Sequence, residues 1–116
     1  MIKLKGYYQE EPLLFEDSVG NNDVKGYLHK AYYFLDDKTY TGAGKQINII
    51  FGEGRADKFD FQISDFDSST EKYEIKNGKL LLYFNTGTPW EITAECIIID
   101  DKKFIINGKI AIFKEF

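Results

Sequence analysis

Glu71-Lys72-Tyr73-Glu74-Ile75-Lys76-Asn77-Gly78-Lys79-Leu80-Leu81-Leu82-Tyr83-Phe84 holds two strand-length runs separated by a single turn signal. Asn followed by Gly adopts the paired positive φ angles of a type I′ turn, whose twist matches that of the strands it joins. The stretch therefore predicts a β-hairpin over 71–75 and Lys79–Phe84. Similar signals recur on both sides. Asn107-Gly108 separates Lys103–Ile106 from Lys109–Glu115, and Asp100-Asp101-Lys102 separates 90–99 from Lys103. Asp36-Asp37-Lys38 separates 26–35 from 39–42. The chain reads as an all-β meander.

Outside these hairpins, Ile2, Leu4, Gly6 and Tyr8 share one face of a first strand, with Lys3, Lys5, Tyr7 and Gln9 on the other. Residues 45–51 alternate Ile47, Ile49 and Phe51 against Gln46 and Asn48. Phe59, Phe61 and Ile63 alternate with Lys58, Asp60, Gln62 and Ser64, which predicts a half-buried strand. Between the first and second strands, residues 10–25 are acidic and break the rhythm. They read as a long loop with one helical turn at 12–15. Residues 65–70 and 85–89 read as polar turns. No stretch longer than a turn carries apolar residues at helical spacing with caps.

The sequence of 116 residues is the length of one domain, 1–116, and is long enough to bury a core without staples. Its net charge of -4 argues against nucleic acid, whose binding needs Lys and Arg to neutralise phosphates. No apolar run approaches the ~20 residues of a membrane helix. Met1-Ile2-Lys3-Leu4-Lys5 has no apolar segment behind its charges, and Cys96 is the one cysteine, so a cytoplasmic protein without disulfides is expected.

About nine or ten short antiparallel strands, against a mean sheet of ~5–6, leave unpaired edges unless the sheet closes or doubles. A single antiparallel up-and-down barrel of about eight to ten strands is the simplest closure. A β-sandwich is the alternative, but its Greek-key crossings need long connections, and only 10–25 and 52–57 are long enough.

Lys5-Gly6-Tyr7-Tyr8 resembles the glycine-x-aromatic opening strand of lipocalins and bacterial lipocalin-like domains. The order that follows is similar too: a long first loop, the aromatic run Tyr32-Tyr33-Phe34-Leu35 into an acidic turn, then Lys72-Tyr73-Glu74-Ile75 and Asn77-Gly78-Lys79-Leu80. Two departures stand out. Tyr8 replaces the usual Trp, and no helix follows the strands. The resemblance implies Gly6 and Tyr8 at the closed end of a barrel and 10–25 as a lid over its mouth, with Pro12, Leu14 and Phe15 on that lid.

A barrel of about eight strands is either filled by side chains or lined around one small ligand. The chain has ten Phe, eight Tyr and one Trp, and each such ring buries ~150–250 Å². Packing explains Phe34, Ile49, Phe59, Phe61, Tyr73, Leu82 and Ile98 as core. Tyrosine adds a hydroxyl that needs a partner when buried, so Tyr33, Tyr40, Tyr73 and Tyr83 facing inward would suit a pocket with polar handles. Tyr8, Phe61 and Trp90 complete that candidate ligand-binding set.

Other chemistry finds little support. His29 is the only histidine, flanked by Leu28 and Lys30, and reads as a surface or lightly buried strand residue without a triad. Cys96, in an Ile-rich run, reads as a small buried hydrophobe. One His and one Cys do not make a structural zinc site, and Asp65-Phe66-Asp67-Ser68-Ser69-Thr70-Glu71 lacks the EF-hand spacing. Gly42-Ala43-Gly44-Lys45-Gln46 misses both the earlier Gly and the Ser/Thr of a P-loop; it and Gly52-Glu53-Gly54 read as strand-end turns. Lys5-Gly6-Tyr7 and Lys25-Gly26-Tyr27 begin like an RNA-reading strand but continue wrongly.

Neither a catalytic residue, nor a cofactor, nor a metal ligand is expected. Two functions follow. The first is noncatalytic binding of a small apolar or amphipathic molecule inside the barrel. The second is a protein-binding module, of inhibitor or immunity type, that meets a basic partner through Glu10, Glu11, Glu16, Asp17 and Asp23. The hairpin itself is directly testable. Gly78→Val forces a β-branched residue to a left-handed φ at ~1–2 kcal/mol, and a drop in melting temperature of roughly 5–10 °C is expected. An unchanged melting curve would place the turn elsewhere.

Overall fold

The computed structural model describes residues 2–19, 22–50, 57–66 and 69–116. Among these run nine strands: β1 (Gly6–Glu10), β2 (Leu13–Val19), β3 (Asn22–Phe34), β4 (Thr39–Ile50), β5 (Glu71–Lys76), β6 (Lys79–Phe84), β7 (Ile92–Asp100), β8 (Lys103–Ile106) and β9 (Lys109–Glu115). All the anticipated hairpins form. Asn77 and Gly78 have φ of 54° and 76°, and Asn107 and Gly108 have 51° and 77°. The β3–β4 turn is held by Asp36, whose Oδ1 accepts from the Lys38 and Thr39 amides and the Thr39 hydroxyl.

From β3 to β9, consecutive strands pair antiparallel, and β1 closes the ring. It pairs with β9 from Gly6↔Glu115 to Glu10↔Ala111, and with β3 at Tyr8↔Tyr32 and Gln9↔Ala31. The result is an eight-stranded antiparallel barrel with β2 as an extra strand. Closure removes the free edges that an open meander would expose.

Gly6 makes the β1–β9 seam possible. A Cβ there would lie 2.3 Å from the Lys114 carbonyl oxygen and 2.5 Å from the Phe113 ring, so only glycine permits this approach. Before it, Lys5 at φ 68° turns the chain into the strand. Ile2 is buried against the interior, and the Lys3 amide donates to the Tyr8 hydroxyl oxygen. The Tyr8 hydroxyl in turn donates to the Asp101 carbonyl. This end of the barrel is thereby closed.

The interior cluster comprises Ile2, Tyr8, Tyr32, Phe34, Tyr40, Tyr73, Leu80, Leu82, Cys96, Phe104, Ile106 and Ala111. Its rings interlock. Phe34 meets Tyr8 at 5.5 Å and Tyr73 at 4.8 Å, both edge-on, and Tyr8 also meets Phe104 and Phe113. Edge-to-face pairs of this kind add ~0.5–1.5 kcal/mol beyond their burial. The half of the barrel nearest Tyr8 is filled.

Four expectations are corrected. Residues 59–64 are not a strand. They cross the outer wall and end in a 3₁₀ turn at Ile63–Asp65, where Tyr7, Ala31 and Phe61 form a second cluster with Tyr33, Ala43, Phe59 and Phe66. The Phe61 amide donates to the Tyr7 hydroxyl oxygen. Alternation there reports an extended chain with one buried side, which needs no ladder partner.

His29 is fully buried rather than at the surface. It faces the same outer cluster, with Phe59 at 5.8 Å, and its Nδ1 lies 3.4 Å from Gln9 Nε2.

The described part of residues 10–25 is mostly strand rather than a loop or a lid. Pro12 merely interrupts the edge, and Leu13–Val19 continues along β3 from Leu13↔Leu28 to Val19↔Asn22, carrying Leu14 and Phe15 in the ladder. Glu16 lies 3.7 Å from Lys25 across it.

Gly42 and Gly44, finally, lie within one continuous β4 rather than at a strand end. Gly52 and Gly54 lie outside the described residues.

Gly6→Ala is expected to destabilise the protein by ~1–3 kcal/mol, the usual cost of overpacking. Urea denaturation measures it, and an unchanged midpoint would contradict the seam geometry.

Candidate functional site

Away from Tyr8 the barrel is not filled. A recess of about 520 Å³ opens there, lined by Tyr32, Gly42, Gly44, Phe84, Ile92, Ala94, Ile106 and neighbouring residues. Tyr32 and Ile106 belong to the interior cluster, and Phe84 and Ala94 pack against it, so the recess sits directly on the core.

Two local causes create this space. β5 pairs with β4 only at Thr39↔Lys72 and Tyr40↔Glu71, so the wall between β4 and β6 ends early. Beyond that point β4 presents glycine at alternate positions. A Cβ on Gly42 would find the Ala31 oxygen 3.8 Å away as its nearest described neighbour, and one on Gly44 the His29 oxygen at 4.0 Å. A Cβ at either position would therefore meet no clash.

A polar pocket of about 110 Å³ adjoins it and shares Lys30 and Asn107 with it; its other walls are Glu10, Glu11, Leu13, Leu28 and Lys109. Glu10 follows Gly6 and Tyr8 on the inward face of β1 and is only 9% exposed. The Tyr32 hydroxyl donates to its Oε2. Burial, followed by the hydrogen bond to Glu10 and by its charge, holds the Tyr32 proton far above the usual phenol range. Burial and then the same carboxylate push the Cys96 thiol up to about 12, which makes it a poor nucleophile at neutral pH.

The tyrosines expected to line a pocket divide. Tyr8, Tyr40 and Tyr73 do face the interior, but their hydroxyls donate to the carbonyls of Asp101, Tyr83 and Asp36, respectively. They brace strand ends and turns. Tyr33, Phe61 and Tyr83 lie on the outside, Tyr33 packed beneath the 57–66 segment that carries Phe61, and Trp90 is 73% exposed in the loop before β7. The expectation that Tyr33 and Tyr83 face inward is therefore corrected. Pro12, Leu14 and Phe15 do not roof the mouth.

Sequence reasoning missed Tyr32 and Glu10, although signals for both existed. Tyr32 shares strand parity with Phe34, and Glu10 shares it with Gly6 and Tyr8.

A larger recess of about 800 Å³ lies on the outer face of β5 and β6, lined by residues including Lys72, Glu74, Lys76, Tyr83 and Glu91. Charged side chains stand there beside Tyr73, Ile75 and Tyr83, and this recess is no more open than the one at the barrel mouth. Among the described residues no three His, Cys, Asp or Glu side chains converge as metal ligands, and no helix is long and apolar enough to cross a membrane. Comparison with protein-family models, curated proteins and solved structures finds no match to this chain.

The buried hydroxyls make stability depend on pH. Burial raises the Tyr8, Tyr32 and Tyr40 hydroxyls, and burial with the Asp37 and Asp36 carboxylates pushes Tyr73 to about 12. Unfolded tyrosine ionises near pH ~10, so above that pH the folded state binds more protons and stability falls as pH rises. The contribution is complete below pH ~10 and is lost through the folded values. The melting temperature is expected to drop steeply on this alkaline side, with tyrosinate absorbance appearing in step with unfolding. Gradual ionisation at constant melting temperature would contradict the burial.

Proposed function

We propose that the protein binds a small apolar or amphipathic molecule, without catalysis, in the open end of the barrel. The recess over Tyr32, Phe84, Ala94 and Ile106 carries this reading, since it is apolar, continuous with the core and left empty by two glycines. Eight antiparallel strands closed at one end, together with the lipocalin-like opening Gly6-Tyr7-Tyr8, support it. Interlocked rings fill the deeper half, which restricts the ligand to the outer half.

The driving force is burial at ~0.8 kcal/mol per CH₂, offset by at least ~4 kcal/mol of association entropy, so a short chain binds weakly and a longer or ringed molecule better.

1-Decanol near its solubility limit is expected to shift the methyl resonances of Ile92, Ala94 and Ile106 and to spare those of Ile63. Gly42→Leu places a side chain in the recess and is expected to remove at least ~80% of the shift, since the apolar area is then already covered. The fold is retained because the added atoms meet open space. Methyls that do not move in the parent protein, or that move equally in Gly42→Leu, would sink the reading.

A further inference from the structure

We infer that the outer face of β7, β8 and β9 is the contact surface for a second copy of this chain, in a reversible two-fold dimer. The inward positions of these strands, Cys96, Phe104, Ile106 and Ala111, belong to the interior cluster. Alternation therefore turns Ile97, Ile105, Ile110 and Ile112 outward. Register makes them one patch, because Ile97 pairs with Ile105 and Ile105 with Ile110, side by side across three strands. Ile99, at the bulge of the β7–β8 ladder, extends the patch along β7 as Ile112 does along β9. Ile97 is 59%, Ile99 49% and Ile112 43% exposed. The core is complete without these side chains. A second apolar patch on the outer wall, at Tyr7, Ala31 and Tyr33, is packed against Phe59, Phe61 and Phe66 of the chain's own 57–66 segment. The isoleucine patch stays open to solvent, and contiguous apolar surface of this kind marks interaction sites.

Charge and size select the occupant. Glu95 lies two residues before Ile97 on β7, and Lys114 two residues after Ile112 on β9, so they mark opposite corners of the patch. A two-fold axis in the contact plane, through the patch centre, sets Glu95 against the partner's Lys114 and Lys114 against the partner's Glu95, with isoleucines meeting between them. Within the chain Glu95 lies 3.7 Å from Lys79, but both side chains are more than half exposed and such a pair is weak. Lys103, opposite Ile112, lays its stem along the apolar surface and keeps its ammonium at the rim. A patch that mixes both signs lacks the single-sign field that a strongly charged partner selects, and the net charge of -4 opposes an anionic membrane. The isoleucines span three strands, about 10 Å across, which is short of the ~800 Å² per partner of a standard interface. The dimer is therefore weak, with a dissociation constant on the order of 10–100 µM.

Sedimentation equilibrium from about 5 µM to about 500 µM is expected to show the average mass rising from 13.4 kDa toward twice that value. Ile97→Asp is expected to weaken association by at least about ten-fold and to leave the melting temperature of the monomer unchanged, because the side chain lies outside the core. Where Ile97→Asp does lower the melting temperature, Ile112→Asp carries the same expectation. Lys114→Glu is expected to weaken the dimer by roughly three- to five-fold, and the double variant Glu95→Lys/Lys114→Glu to restore it. A parent chain that stays monomeric at the highest concentration would overturn the proposal. So would association unchanged in Ile97→Asp and Ile112→Asp, or a double variant no tighter than Lys114→Glu. A chain that stays monomeric but sediments with phosphatidylserine vesicles would give this face to a membrane instead.

Discussion

The architecture depends on five residues. β1 is short, yet it alone joins β9 to β3 and turns a meander into a closed wall. That seam exists because Gly6 lets the β9 backbone and the Phe113 ring approach closer than any side chain would allow. Two residues later, Tyr8 uses its ring to plug the same end and its hydroxyl to tie the Lys3 amide to the Asp101 carbonyl. At the other end of β1, Glu10 puts a carboxylate inside. One strand therefore sets closure, the solid floor and the polar edge of the open mouth, through three consecutive inward positions.

The two ends of the barrel show how ring packing and strand length divide a small interior. At the floor, Phe34, Tyr73, Tyr8 and Phe104 interlock and leave no room. At the mouth, the short ladder between β4 and β5 removes part of the wall, and Gly42 and Gly44 remove the side chains that would fill the gap. Beside this gap the Tyr32 hydroxyl donates to the Glu10 carboxylate, where the floor has interlocked rings.

The Asn77-Gly78 and Asn107-Gly108 hairpins were legible in the chain, because a type I′ turn needs positive φ at adjacent residues and Asn-Gly supplies it locally. Closure was legible from strand number and the edge problem. The reading failed where a local pattern has two tertiary realisations. Phe59, Asp60 and Phe61 alternate as a strand does, but the partner they meet is the outer wall of β1 and β3, not a ladder. Leu14 and Phe15 sit in an acidic context that suggests a loop, and pairing with β3 overrides it. At the site, Tyr33 and Tyr32 differ by one position, and a one-residue change of parity exchanges the inside of a barrel for its outside.

By itself, then, the sequence determined turn positions, strand periodicity and the economy of closing the sheet, since these rest on φ preferences and side-chain alternation within a few residues. The tertiary structure alone decided which tyrosines face inward and that the chain after Pro12 forms an extra strand. It also decided that His29 is covered by residues thirty positions later in the chain and that Glu10 meets Tyr32 beside an empty recess. These outcomes depend on register between strands far apart in sequence. Register is a property of the assembled sheet, set by the sum of many packed contacts, so no single segment carries it.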